Sequence, residues 1–263
     1  MKIIFIRHAE PDYNKDSLTQ KGWKEAKLLS ERIKKWNVTR CYVSPQGRAK
    51  DTASFSLKEL NMEAVTLPFL HEFSYRVTDP VTGRKGVPWD FVPSDWTAYD
   101  CMFDSAEGFL KYPCISDNPD ITENYPKVIN GFDEILKEFG YVREGRFYRN
   151  LNAVERYLKS TVTDNNEVTN NSPYENPNDE PVLVFFCHLG VTMLIMSHLL
   201  NIPFETLTHG FFLPPSSVTV ISSEERWANE AYFRVQLMGD CTHLRCVDEF
   251  ISPAGSFSEP FQG

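Results

Sequence analysis

Two runs of the chain constrain its fold more than anything else in it. They are IIFIRH, ending at His8, and VLVFFCH, ending at His188. Ile3–Ile6 and Val182–Cys187 are unbroken apolar stretches. That is the pattern of strands buried on both faces, as in a parallel sheet covered by helices. A histidine follows each strand directly, at its carboxyl end. In open α/β sheets this is the edge where ligands bind.

Helical patterns follow both runs. Thr19 is placed as an N-cap for a helix running to about Trp36, with Trp23, Ala26, Leu29, Ile33 and Trp36 on one stripe. Cys41–Val43 reads as a short strand stopped by Ser44-Pro45. A helix is expected from about Arg48 to Leu60, a strand at Ala64–Leu67, a helix at Pro126–Phe139 and a hairpin over Tyr141–Asn150 turning at Glu144-Gly145. Ala153–Lys159 and Val191–Leu200 read as helices. Ser217–Ser222 and Tyr232–Met238 read as an antiparallel strand pair. The expected fold class is therefore α/β: a three-layer α/β/α sandwich with a mainly parallel central sheet.

Two stretches break this pattern. Residues 74–124 lose periodicity and are rich in Pro, Trp, Asp and Tyr. A structureless loop of that length is uncommon in a compact domain, so an inserted cap over the strand ends is expected. Residues 163–181 are polar and Asn-rich, the composition of a flexible surface loop. Residues 252–263 read as a C-terminal tail. The whole of 1–263 is expected to form a single domain.

The 263 residues carry a formal net charge of −9. That argues against nonspecific nucleic-acid binding, which needs a basic face, but leaves room for a local cationic pocket. No apolar stretch reaches the length of a membrane span, and Ile3–Ile6 is too short for a signal-peptide core. A cytoplasmic protein is expected, with no membrane partner and with its six cysteines free. Oligomeric state is not legible. Cys241, His243 and Cys246 match no strong zinc spacing, so no metal and no cofactor are expected.

Arg7 precedes the first histidine, and Arg48 lies just past a third strand end. Two imidazoles and two guanidinium groups thus converge on one sheet edge. Guanidinium groups offer planar donors to phosphoryl oxygens, and an imidazole can act as the nucleophile.

These residues resemble the motifs of the histidine phosphatase superfamily, the phosphoglycerate-mutase-like fold. Arg7-His8-Ala9-Glu10 resembles its Arg-His-Gly-Glu signature, and Asn14 falls where that branch has an asparagine near the phosphate. Leu18-Thr19-Gln20-Lys21-Gly22 resembles its Leu-Thr-x-x-Gly helix start. Ser44 to Ala53 resembles its Ser-x-x-x-Arg-Ala-x-x-Thr-Ala segment, Cys187-His188 its second-histidine strand, and Gly239 to Leu244 its closing motif. The similarity covers residues 1–73 and 181–245 well and the middle poorly.

The resemblance implies His8 as the nucleophile that accepts the phosphoryl group. It implies Arg7, Arg48 and His188 as phosphate ligands that stabilise the transition state, and Asn14 as a lesser phosphate contact. Glu72 falls where the family has its general acid; His71, Asp100, Asp104 and Glu107 are other candidate proton donors. The implied activity is metal-independent hydrolysis of a small phosphorylated metabolite through phosphohistidine. Mutase-type phosphotransfer and a non-catalytic phospho-ligand module are the alternatives. Ala9 and Leu189 stand where the family usually has glycine, departures that bear on substrate shape more than on reaction type.

Overall fold

The computed structural model describes residues 1–152, 179–227 and 229–262. An eight-stranded sheet organises them. Chain order runs β1 (Lys2–Arg7), β2 (Pro11–Asp12), β3 (Ser17–Leu18), α1 (Gln20–Ile33), β4 (Arg40–Val43), α2 (Gly47–Leu60) and β5 (Ala64–Thr66). Next come β6 (Val77–Thr78), β7 (Lys85–Gly86), α3 (Pro93–Trp96), α4 (Cys101–Asp104), α5 (Pro113–Ser116), α6 (Pro119–Glu138), β8 (Tyr141–Glu144) and β9 (Phe147–Asn150). The chain closes with β10 (Val182–Cys187), α7 (Leu189–Leu200), α8 (Phe204–Gly210), β11 (Val218–Trp227), β12 (Glu230–Asp240) and α9 (Thr242–Arg245).

Strand order is β5-β4-β10-β1-β11-β12-β9-β8. The half that ends in the histidines is parallel: β5 on β4, β4 on β10 and β10 on β1. The other half, from β11 to β8, is an antiparallel extension built from two hairpins. β1 and β10 pair in register, with Arg7 opposite Cys187. His8 and His188 are therefore the first residues beyond two adjacent strand ends.

The unbroken apolar runs follow from burial on both faces. Ile3 and Phe5, with Leu183 and Phe185, point into a large cluster containing Phe132, Leu136, Val191 and Leu194. Ile4 and Ile6, with Val184 and Phe186, point the other way onto Leu29, Ile33, Ala49 and Ala53 of α1 and α2. α7 is buried at every position from Gly190 to Leu199. It is apolar all round because it lies in the core rather than on the surface.

α1 begins where expected, the Thr19 hydroxyl accepting from the Gly22 N–H. α6 begins seven residues earlier than its sequence suggests. Asn118 caps it through the N–H groups of Asp120 and Ile121, and Pro119 sits in the first turn, where a missing N–H costs nothing. Pro126 lies inside the helix instead of opening it. The proline was the misleading signal. Burial of Ile121 and Tyr125 on the same face as Val128 and Phe132 outweighs the lost hydrogen bond.

Residues 74–118 contain the β6–β7 hairpin, three one-turn α-helices and short 3-10 turns. Phe91, Trp96, Met102, Phe109, Tyr112 and Ile115 are buried in the same cluster as the sheet face. Both the Ala153–Lys159 helix and the greater part of the 163–181 loop lie outside the described residues. From Ser252 to Gln262 the chain has no helix or strand. No described helix is long and apolar enough to cross a membrane, and all six cysteines are free thiols.

Candidate active site

His8 is almost fully buried at the end of β1. Its backbone N–H donates to the Cys187 carbonyl at 2.9 Å, and its own carbonyl accepts from the Ser216 N–H. The ring Nδ1 lies 2.8 Å from the Ala9 carbonyl oxygen. A carbonyl only accepts, so Nδ1 carries the hydrogen. Burial and the neighbouring Arg7 charge push the imidazole well below its usual range. The neutral ring therefore has its lone pair on Nε2, the form a nucleophile needs. Thr52 holds the following residue in place: its hydroxyl accepts from the Ala9 N–H at 2.9 Å and donates to the Arg48 carbonyl at 2.7 Å.

The two histidine rings stand 5.2 Å apart between centroids, close to the spacing of adjacent strands. His188 Nε2 lies 2.7 Å from Ser44 Oγ, and that oxygen accepts from the Gln46 N–H. The serine hydrogen is thus free to point at Nε2, a pairing that goes with the ring hydrogen on Nδ1. Nδ1 is buried and has no partner among the described residues. Burial and the nearby His8 and Arg48 hold this ring well below the usual histidine range too.

Both arginines are buried. Arg7 donates to the Leu213 carbonyl at 2.6 Å and the Ala254 carbonyl at 2.8 Å. Arg48 donates to Asp16 Oδ1 at 2.6 Å, while Asp16 Oδ2 accepts from the Gly47 N–H at 2.7 Å. Asp16 thereby ties the guanidinium to the first turn of α2. The ring of Tyr13 covers the Arg48 guanidinium, 5.5 Å from Cζ to centroid. Each arginine keeps its Nε buried without a partner among the described residues. Buried guanidinium donors next to a buried imidazole are groups that can bind an anion.

Glu72, in the loop between β5 and β6, lies against the first turn of α7. Its Oε1 accepts from the Phe73 N–H at 2.9 Å and the Val191 N–H at 3.2 Å. Burial pushes the carboxyl above its ordinary value, with Arg7 and Arg48 opposing. Gly190 is required here. A Cβ on it would fall 2.7 Å from the Phe73 carbonyl oxygen and 2.8 Å from Glu72 Oε1.

The structure brings together Arg7, His8, Arg48 and His188, with Glu72 beside them. Asn14 is not brought in: it is exposed on the β2–β3 turn, where its backbone N–H donates to Asp12 Oδ1. Asp16 and Tyr13 of the same turn reach Arg48 instead. Neither stood out in the sequence, because Asp16 needs a left-handed backbone (φ 48°) to aim its carboxylate, and no residue pattern announces that. His71 is exposed, its Nδ1 3.1 Å from the Glu72 carbonyl. Asp104 and Glu107 line a different cavity, beside Arg143 and His198. Among the described residues no group of three or more His, Cys, Asp or Glu side chains is placed to hold a metal ion. His243 is bound to Ser216 Oγ at 3.0 Å.

Comparison with known proteins finds a family match over the first part of this chain. A family model described as the histidine phosphatase superfamily (branch 1) matches residues 3–84, the segment carrying Arg7, His8, Arg48 and Glu72. That bears out the resemblance read from the motifs. Solved structures then match the fold over nearly the whole chain. The phosphoserine phosphatase of Entamoeba histolytica, in complex with 3-phosphoglyceric acid, covers 92% of this chain and 98% of its own at 17% identity, with a TM-score of 0.55. A mycobacterial glucosyl-3-phosphoglycerate phosphatase complexed with VO3 covers 91% and 99% at 16% identity, with a TM-score of 0.53. At such identity these neighbours share the fold. No curated protein matches the chain in sequence.

Proposed function

We propose that the protein is a phosphomonoesterase that works through phosphohistidine at His8, without a metal. The observation that carries this reading is the His8 tautomer. With Nδ1–H committed to the Ala9 carbonyl and the ring kept neutral, Nε2 faces the reaction as a free base. Two arginines and His188 surround it.

The chemistry balances in two steps. Nε2 attacks phosphorus as the P–O ester bond breaks, and Glu72 gives its proton to the departing alcohol oxygen. Water then gives a proton to the Glu72 carboxylate and attacks phosphorus, and the N–P bond breaks to release phosphate. Arg7, Arg48 and the Nδ1–H of His188 stabilise the charge that spreads over the equatorial oxygens. The guanidinium groups fill the role that Mg²⁺ takes in other phosphoryl-transfer enzymes. Glu72 suits both steps because Oε1 is pinned by two N–H groups and burial favours the protonated acid. The 74–124 segment contributes to which alcohol is accepted.

The test is hydrolysis of a generic phosphate ester with and without chelator, and quenching in alkaline detergent to trap a labelled protein. An acid-labile, alkali-stable phosphoryl label at His8, lost in His8→Ala together with turnover, is expected. Full activity in His8→Ala, or loss of activity on chelation, overturns the reading.

A further inference from the structure

Beside the cluster lies a cavity of about 560 Å³, within the usual range for small-molecule sites. It adjoins the reacting groups at two points. Gly190, whose absent Cβ would fall 2.8 Å from Glu72 Oε1, lines it. So does Gly255, whose absent Cβ would fall 2.7 Å from Arg7 Nη2. The reacting side chains themselves do not line it, so the cavity lies one residue beyond them, where the far end of a leaving alcohol would sit.

Five aromatic rings and Leu189 make up much of the wall (Trp89, Phe91, Leu189, Phe211, Phe212 and Phe257), with the hydroxyls of Thr208, Ser256 and Ser258 between them. Trp89 is fixed, stacked on Phe73 at 6.0 Å and edge-on to Phe204 at 5.3 Å. Phe257 and Phe211 are 88% and 47% exposed. Their rings leave apolar area in water that a ligand would remove. Leu189, the residue in place of the family's glycine, adds further apolar surface beside the phosphoryl site.

The ionisable groups of the wall are Asp90 and His209. His209 is taken up elsewhere, stacked on Trp96 at 4.0 Å with Nε2 3.2 Å from Glu205 Oε2. Asp90 lies within the electrostatic reach of His209 and of the exposed Arg76, and it is the one carboxylate among the residues lining the cavity. A carboxylate or second phosphate on a leaving group packed in this cavity would meet Asp90 at close range.

We infer that the substrate is a phosphate monoester of an uncharged, ring-bearing alcohol, whose ring is buried among these side chains. This rests on the proposed phosphatase reading.

Three esters with alkoxide leaving groups separate the possibilities: 3-phenylpropyl phosphate, propyl phosphate and 3-phosphoglycerate. Burying one aromatic ring should raise kcat/KM for the phenylpropyl ester about tenfold to hundredfold over propyl phosphate. The advantage over 3-phosphoglycerate should be at least as large. The phenylpropyl-to-propyl ratio should fall severalfold in Phe257→Ala and in Leu189→Gly. If the protein turns over all three esters at similar rates, or prefers 3-phosphoglycerate, the inference fails while the phosphatase reading stands. A high ratio unmoved by both substitutions also overturns it, because the ring then binds elsewhere. If no ester and no acetyl phosphate yields inorganic phosphate, and His8 is never labelled, the phosphatase reading falls and takes the inference with it.

Discussion

Replacing Gly190 by alanine tests the geometry of the proton donor without altering the chemistry of any reacting group. The new methyl would sit 2.7 Å from the Phe73 carbonyl oxygen and 2.8 Å from Glu72 Oε1, both inside contact distance. The carbonyl belongs to the backbone and yields little. Relief comes from moving the Glu72 carboxylate or the first turn of α7, which strains the Val191 N–H bond to Oε1 (3.2 Å). Overpacking of this kind costs about 1–3 kcal/mol of stability. A displacement of the acid by about 1 Å costs about 10² in rate. The assay is kcat/KM, which reports the steps up to leaving-group departure, for an alkyl phosphate beside 4-nitrophenyl phosphate, whose leaving group departs without a proton. Gly190→Ala should lose about 10² on the alkyl ester and much less on the nitrophenyl ester, with a cooperative melt showing that it folds. Wild-type kcat/KM on the alkyl ester in the folded variant, or equal loss of kcat/KM on both esters, would refute the assignment of Glu72 as the acid.

Three further outcomes follow from the same geometry. Glu72→Gln should lower kcat on alkyl esters about 10²–10⁴-fold. The wild-type rate should fall on the acid side as His8 gains a proton below its usual range, and on the alkaline side as Glu72 loses one above its usual range; the variant should lack the alkaline limb. Asp16→Asn weakens the anchor of Arg48 and should raise KM about tenfold with a smaller change in kcat, as expected for a charge-assisted bond that is partly solvent-screened; an unchanged KM would show that Arg48 needs no anchor. His243 is pushed down to about 4 by burial from 6.5. The unfolded chain therefore binds more protons between those values, and stability should drop by about 3 kcal/mol as pH falls through that window. Urea unfolding at pH 7 and pH 4 should show a smaller drop in His243→Gln than in wild type, and an equal drop would discount the histidine.

The parts of the site legible in the sequence are those tied to strand ends. β1 and β10 announce themselves because both faces are buried, so His8 and His188 needed no tertiary information. Arg48 and Thr52 were legible through their spacing on α2. Asp16 and Tyr13 were not, because their contacts with Arg48 depend on a single left-handed residue in a turn. The cap was readable only as a loss of pattern. Its one-turn helices are too short to show a period, and its residues are held by aromatic contacts such as Trp96 on His209 and Phe109 on Phe204. The antiparallel half of the sheet was underestimated, since β8 and β9 read as an isolated hairpin until β12 joined them to the sheet.

The two carbonyls that hold Arg7 come from Leu213 and Ala254, so the guanidinium beside His8 is aimed by residues more than two hundred positions further along the chain. Neither of them lies in a helix or strand, so the aim of Arg7 depends on stretches that the sheet itself does not hold. A product clipped before Pro253 should therefore retain the sheet and its imidazole pair while Arg7 swings free. Such clipped molecules would pass as folded in a cell and still turn over poorly.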